Sequence, residues 1–116
     1  MTWNLFIDDE RDPRQVTWGS TAFYHVYPWT IARSMSEVQE LVQMYGFPEF
    51  ISFDHDLGTE CPTGKDIANW LIEQDLDYDT MPSNFSFYVH SRNPVGKANI
   101  ESLLNNYLEQ RNVRPN

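Results

Sequence analysis

Phe50-Ile51-Ser52-Phe53-Asp54-His55-Asp56-Leu57-Gly58 starts as an apolar run and ends in three side chains of metal-ligand or acid–base type. A short apolar run bounded by turn residues reads as a strand buried on both faces, the kind found in parallel sheets. In open α/β sheets, chemistry sits just past the carboxyl ends of such strands. Two carboxylates flanking a histidine are costly to place there unless each has a partner or a metal. Taken alone, the stretch also fits a strand followed by an acidic, solvated turn. Two other segments repeat the pattern, and that repetition decides between the two readings.

The first is Trp3-Asn4-Leu5-Phe6-Ile7, which runs into Asp8, Asp9, Glu10, Arg11, Asp12 and Pro13. Adjacent carboxylates at a strand end suit a hard divalent cation with oxygen ligands. The second is Phe85-Ser86-Phe87-Tyr88-Val89-His90, followed by Ser91, Arg92, Asn93 and Pro94. Asn93 and Pro94 fit the cap and first position of a helix, whose stripe is Ile100, Leu103, Leu104, Tyr107 and Leu108. A fourth strand is expected within Phe23–Ala32, an aromatic and β-branched run that Pro28 confines to an edge or breaks early. His25 in that run reads as structural. Residues 14–22 show no period and read as loop with at most a helical turn.

Ser34–Tyr45 is predicted as a helix, capped by Ser34 with Glu37 or by Ser36 with Gln39, and stopped by Gly46 and Pro48. Thr63, with Asp66 in the first turn, opens another helix whose apolar face is Ile67, Ala68, Trp70 and Leu71. Asp75–Asp79 reads as an exposed acidic linker, and residues 111–116 as frayed. Strands alternating with helices imply right-handed crossovers. The expected fold is therefore α/β, three-layered, with a mostly parallel four-stranded sheet. Strands near 3–7, 50–54 and 85–90 are expected side by side in its middle.

The 116 residues suit a single domain spanning 1–116 with its own core, and 41% of them are hydrophobic. No apolar run approaches the roughly 20 residues that span a bilayer. Met1-Thr2-Trp3-Asn4 lacks the basic and apolar regions of a secretory signal. Cys61 is the single cysteine, which excludes intrachain disulfides and Cys-rich zinc sites and points to a reducing, cytoplasmic setting. A net charge of −9 argues against general DNA or RNA binding. A phosphate-bearing small molecule then needs a metal or a local basic pocket to offset the field.

The three strand ends converge in such a fold. Asp8, Asp9, Asp54 and Asp56 would gather with His55, His90, Ser91 and Arg92 at one edge. The acids suit Mg²⁺ or Mn²⁺. His55 and His90 suit general acid and base, and one of them also suits a nitrogen ligand to a softer metal. Ser91, Arg92 and the amides near Val95 and Gly96 suit an anion seat, with Asn93 as cap and Lys97 within reach. Ser91 and Asn93 also fit plain helix capping, Arg92 an ion pair with a neighbouring aspartate, His90 a satisfied core histidine, and Asp56 a turn residue beside Gly58.

Ile7-Asp8-Asp9 with Asp54 resembles the acidic pocket of the receiver domains of response regulators. Leu5–Pro13, Ser52–Gly58, Thr63-Gly64 and His90–Gly96 together resemble a receiver-derived family, the cyclic-phosphate processing receiver domains. The likeness covers Trp3 to Leu108. It implies a truncated receiver-like, flavodoxin-like fold acting on cyclic phosphates of nucleotides or RNA ends. It also implies that Asp8, Asp9, Asp54 and Asp56 form the acidic pocket, to which His55, His90 and Ser91 are additions. The fifth strand of a receiver, with its lysine, has no counterpart, which argues against phosphorelay signalling. The leading expectation is a metal-assisted phosphoesterase with a phosphate-bearing small molecule or RNA end as substrate. The alternatives are an acidic interaction module or nucleic-acid mimic without turnover, and a phosphoacceptor carrying the phosphoryl group on Asp54.

Overall fold

The computed structural model describes residues 2–18, 24 and 28–113, with side chains through residue 111. Its strands are β1 (Asn4–Ile7), β2 (Thr30–Ala32), β3 (Phe50–Phe53) and β4 (Ser86–Val89). The helices are α1 (Met35–Tyr45), α2 (Gly64–Tyr78) and α3 (Pro94–Val113). Every strand pair is parallel, in the order β2-β1-β3-β4. The expected α/β fold is present, fully parallel rather than mostly so. β1, β3 and β4 are neighbours as expected, but β4 is an edge strand, not a central one. Its Ser86 is exposed and its Phe87 and Tyr88 are half-buried, as an edge position allows.

Side chains alternate across the sheet. Leu5, Ile7, Ile51, Phe53 and Val89 form one face and share a core with Val38 of α1, Ile67 and Leu71 of α2, and Ile100 and Leu104 of α3. The other face carries Phe6, packed with Val16 and Tyr24 and bordered by Trp18, Trp29, Ile31 and Tyr88. No α-helix covers that second face among the described residues. A 3₁₀ turn at Pro13–Gln15 and the aromatic side chains that follow it form the layer instead. The expected strand over Phe23–Ala32 is realised at Thr30–Ala32, after Pro28. The rest of that expectation, His25 included, and most of the 14–22 loop lie outside the described residues.

Local chemistry fixes the helix starts. Ser34 Oγ accepts from Glu37 N at 3.3 Å, while Glu37 reaches Arg33 N at 2.6 Å, one residue before the cap. Thr63 and Asp66 form a reciprocal capping box. Gly64, at the start of α2, lies so close to the end of β3 that an added Cβ would stand 2.0 Å from the Asp54 carbonyl oxygen. Asn93 caps α3, its Oδ1 accepting from Gly96 N at 3.0 Å.

Two expectations fail together at the other end of the molecule. Asp75 is not in an exposed linker: it is buried in the last turns of α2. Its carboxylate accepts from Met81 N at 2.8 Å, from the Tyr107 hydroxyl, and from Arg111 Nε at 2.7 Å. Arg111 therefore belongs to an ordered α3, not to a frayed end; residues 114–116 of that expectation lie outside the described residues. No helix among the described residues is long and apolar enough to cross a membrane.

Candidate functional site

The parallel register levels the strand ends. Ile7 pairs with Ala32 and with Phe53, and Phe53 pairs with Val89. The next residue on each strand is Asp8, Arg33, Asp54 or His90, so these four stand in a row. Asp8 N donates to Ala32 O, Asp54 N to Ile7 O and His90 N to Phe53 O, extending the ladders by one step. Alternation then sends Asp8, Asp54 and His90 to the face of Phe6 and Ser52. One oxygen of each carboxylate and a ring nitrogen of His90 lie within 4.8 Å of one another, and all three residues are buried.

Asp8 is the most bonded of them. Its Oδ1 accepts from Glu10 N at 2.9 Å and Arg11 N at 2.8 Å, turning the chain away from β1. Its Oδ2 faces His90 Nε2 at 3.0 Å and Arg11 Nη1 at 3.4 Å. Burial works to raise its pKa. The hydrogen bonds from His90 and from the Arg11 and Glu10 amides outweigh burial and hold it down at about 2. Asp54 moves the other way, raised by burial first and then by the charge of Asp8. Its Oδ1 accepts from His55 N at 2.8 Å, and its Oδ2 lies 3.8 Å from Arg11 Nη1.

His90 is enclosed. Phe6 stacks on its ring at 4.5 Å, Nδ1 meets Ser52 Oγ at 2.7 Å, and Ser52 Oγ meets the Tyr24 hydroxyl. With a neutral ring, the order runs from the carboxylate outward. Nε2–H donates to Asp8, so Nδ1 accepts from Ser52, and Tyr24 donates to Ser52. Burial raises the Tyr24 pKa and keeps that hydroxyl protonated. Both ring nitrogens are engaged inside the protein. The geometry therefore gives His90 a grip on Asp8 and no nitrogen facing solvent, unlike the acid–base placement expected for it.

A cleft of about 580 Å³ opens over this end of the sheet, lined among others by Asp9, Arg11, Asp54, Asp56, Ser91, Arg92 and Asn93. Asp56 is exposed and bridges two loops, accepting from His55 Nδ1 at 2.8 Å and Asn93 Nδ2 at 3.2 Å. Those bonds, His55's first, lower its pKa. The His55 ring packs against Gly96, where an added Cβ would meet it at 2.3 Å. Arg92 is exposed, its guanidinium 5.1 Å from the centre of the Trp18 ring.

Three residues of the expected anion seat are engaged otherwise. Ser91 Oγ accepts from Asn93 N at 3.1 Å, and Gly96 N is taken by Asn93. Lys97 Nζ sits 5.7 Å from the Tyr88 ring centre, off the cleft wall.

Several residues of the site were not anticipated. Arg11 lies between Asp8 and Asp54 and 5.1 Å from the Trp18 ring centre. Trp18 Nε1 donates to His90 O at 2.7 Å. Arg33 donates to Asp8 O at 3.1 Å, to Arg11 O at 2.7 Å and to Asp12 Oδ1 at 3.0 Å. Ser52 was legible: it is the polar member of an apolar strand, two residues before Asp54 and so on the same face.

A wholly parallel sheet with acidic strand ends sharing one cleft defines a receiver-like α/β domain. Within that class, residues 3–106 match the family model of the cyclic-phosphate processing receiver domain, and the chain belongs to that family. It is a receiver-like domain associated with cyclic-phosphate processing. No curated protein and no solved structure shows significant similarity to it.

Proposed function

We propose that the chain is a metal-assisted phosphoesterase that opens cyclic phosphates of nucleotides or RNA ends. The observation that carries this reading is the meeting of Asp8, Asp54 and His90 beneath a cleft whose wall also holds Arg11 and Arg92. Asp9, Glu10, Asp54 and Asp56 outnumber the two arginines there, so an anionic substrate needs further positive charge.

The donor set suits a divalent ion. Two carboxylate oxygens and an imidazole nitrogen within 4.8 Å fit Mn²⁺. Asp9 and Asp56, expected in the same set, line the cleft but lie outside that cluster. If His90 ligates through Nε2, its Nδ1–H donates to Ser52 Oγ, the outer partner that metal-bound histidines use. A bound ion would supply charge neutralisation at a phosphate oxygen and a more acidic water.

The remaining work falls to the chain's own groups. Water oxygen attacks phosphorus, one ring P–O bond breaks, and the departing oxygen takes a proton, leaving a phosphomonoester. Arg92 and Arg11 hold the non-bridging oxygens. His55 is not itself part of the cleft wall; bonded through Nδ1 to Asp56, which is, it is the group to which we assign the proton transfer. His90 does not touch substrate: its Nε2 holds Asp8 when no ion is bound and would ligate the ion when one is. Ser91 and Asn93 shape the turn that presents Arg92.

The test is hydrolysis of 2′,3′-cyclic nucleotides and of oligonucleotides ending in a 2′,3′-cyclic phosphate, with Mg²⁺ or Mn²⁺. Turnover that is lost in Asp54→Ala and reduced about 10²-fold or more in His55→Ala supports the assignment. Full activity in an Asp54→Ala, His55→Ala double variant ends it. The enclosure of His90 favours a second reading, a module that binds a cyclic phosphate without cleaving it. In that case calorimetry detects binding while chromatography recovers the ligand unchanged.

A further inference from the structure

We infer that Arg11 is a displaceable counter-cation, one that competes with a divalent ion for the Asp8 and Asp54 carboxylates. The inference rests on the metal reading above and concerns a residue that reading does not assign to the metal.

Two like charges buried side by side need a positive charge between them. Arg11 supplies it, with Nη1 at 3.4 Å from Asp8 Oδ2 and 3.8 Å from Asp54 Oδ2. These separations are long for a guanidinium–carboxylate bond, for which about 2.7–2.9 Å is usual. In the same position the group is 5.1 Å from the centre of the Trp18 ring, a contact that needs no carboxylate and can hold it when the carboxylates are taken. Trp18 is itself fixed by its bond to His90 O. The Arg11 side chain is 33% exposed, so it has room to turn outward.

Arg33 makes that turn local. Its bonds to the carbonyls of Asp8 and Arg11 hold the backbone of the acidic loop. Asp8 Oδ1 also holds the Glu10 and Arg11 amides. The Arg11 guanidinium can therefore leave the carboxylates without moving the loop that carries it. Arg92 is also 5.1 Å from the centre of that ring, so with the carboxylates taken by a metal both guanidinium groups would be left for an incoming phosphate. Occupancy of the carboxylates by a metal and availability of Arg11 to an anion are then reciprocal.

The experiment is calorimetric titration of the full chain with MnCl₂ alone. The proteins are wild type, Arg11→Gln, and Arg14→Gln, which makes the same change of net charge on an exposed side chain. Arg11→Gln is expected to bind Mn²⁺ about tenfold more tightly than wild type, the scale of one charge-assisted contact. Arg14→Gln is expected to match wild type within about twofold. Mn²⁺ binding by Arg11→Gln but not by wild type also supports competition. Equal or weaker binding by Arg11→Gln overturns it and leaves the metal site standing. If neither protein binds, the metal reading falls and the competition with it. Should Arg11→Gln not fold, the wild-type arginine Nε–H resonances during a Mg²⁺ titration decide the matter. Arg11 should move while Arg33 stays, and a stationary Arg11 alongside saturable Mg²⁺ binding overturns the proposal.

Discussion

At Asp54 burial and the Asp8 charge act in the same direction, both opposing ionisation. A carboxylate with a raised pKa subtracts stability wherever it is ionised. Asp54→Asn keeps the shape and the acceptor for His55 N, and it removes the like charge next to Asp8. The variant is expected to be more stable by about 1 kcal/mol, a rise in Tm of about 4 °C by calorimetry, and to lose turnover. Asp8 has the opposite sign. Its pKa falls from 3.8 to about 2 on folding, so its contribution is fully present above pH 3.8 and vanishes as pH falls through 2. At 1.36 kcal/mol per unit, the Asp8 share of the loss over that window is roughly 2 kcal/mol, read as the part of the pH 5 to pH 2 fall in urea midpoint that is missing in Asp8→Asn. Both residues were legible because each follows an apolar strand, and position past a strand end is a local property. Arg11, Trp18 and Tyr24 were not. What they touch depends on how the segment after β1 folds over the second face, and that segment has no period to read.

Between elements, the buried Asp75 ties the end of α2 to the turn before β4 and to the last turns of α3. Burial alone would raise its pKa; Arg111, Tyr107 and the Met81 amide outweigh burial and lower it. Asp75→Ala removes the acceptor shared by the Met81 amide, the Tyr107 hydroxyl and Arg111 Nε, while Arg111 keeps the Met81 carbonyl and Asp79, and it should cost about 2–3 kcal/mol in urea unfolding. Arg111→Met should cost less, and the double variant less than the sum, since both act on one network. Reading Asp75–Asp79 by charge as a linker missed the helical period: Asp75 follows Ile67 and Leu71 at intervals of four, on the buried stripe. Helix starts were legible at Ser34, Thr63 and Asn93, because a cap acts within three residues. The order of strands across the sheet was not: nothing local to Phe85–His90 says whether a further strand will pair outside it, which is why β4 was expected inside and lies at an edge.

Over the whole molecule, a net charge of −9 makes ionic strength a stability variable. Dispersed acids such as Glu73, Asp77, Asp79 and Glu109 are exposed, and salt should relieve their mutual repulsion without regard to ion type. Asp8 and Asp54 differ because they are buried within reach of a common point, where screening by bulk salt is weak and a bound ion is not. The two effects separate at matched ionic strength. NaCl should raise Tm by the same small amount in wild type and in Asp54→Asn. MgCl₂ or MnCl₂ should add a further increment in wild type alone, growing with the logarithm of concentration once the site is filled, about 2.7 kcal/mol at one hundred times Kd. Equal increments from NaCl and MgCl₂ in wild type would mean that the acids act only as a diffuse field. An increment from MgCl₂ that survives in Asp54→Asn would place the ion elsewhere on the acidic surface, away from the ends of β1 and β3.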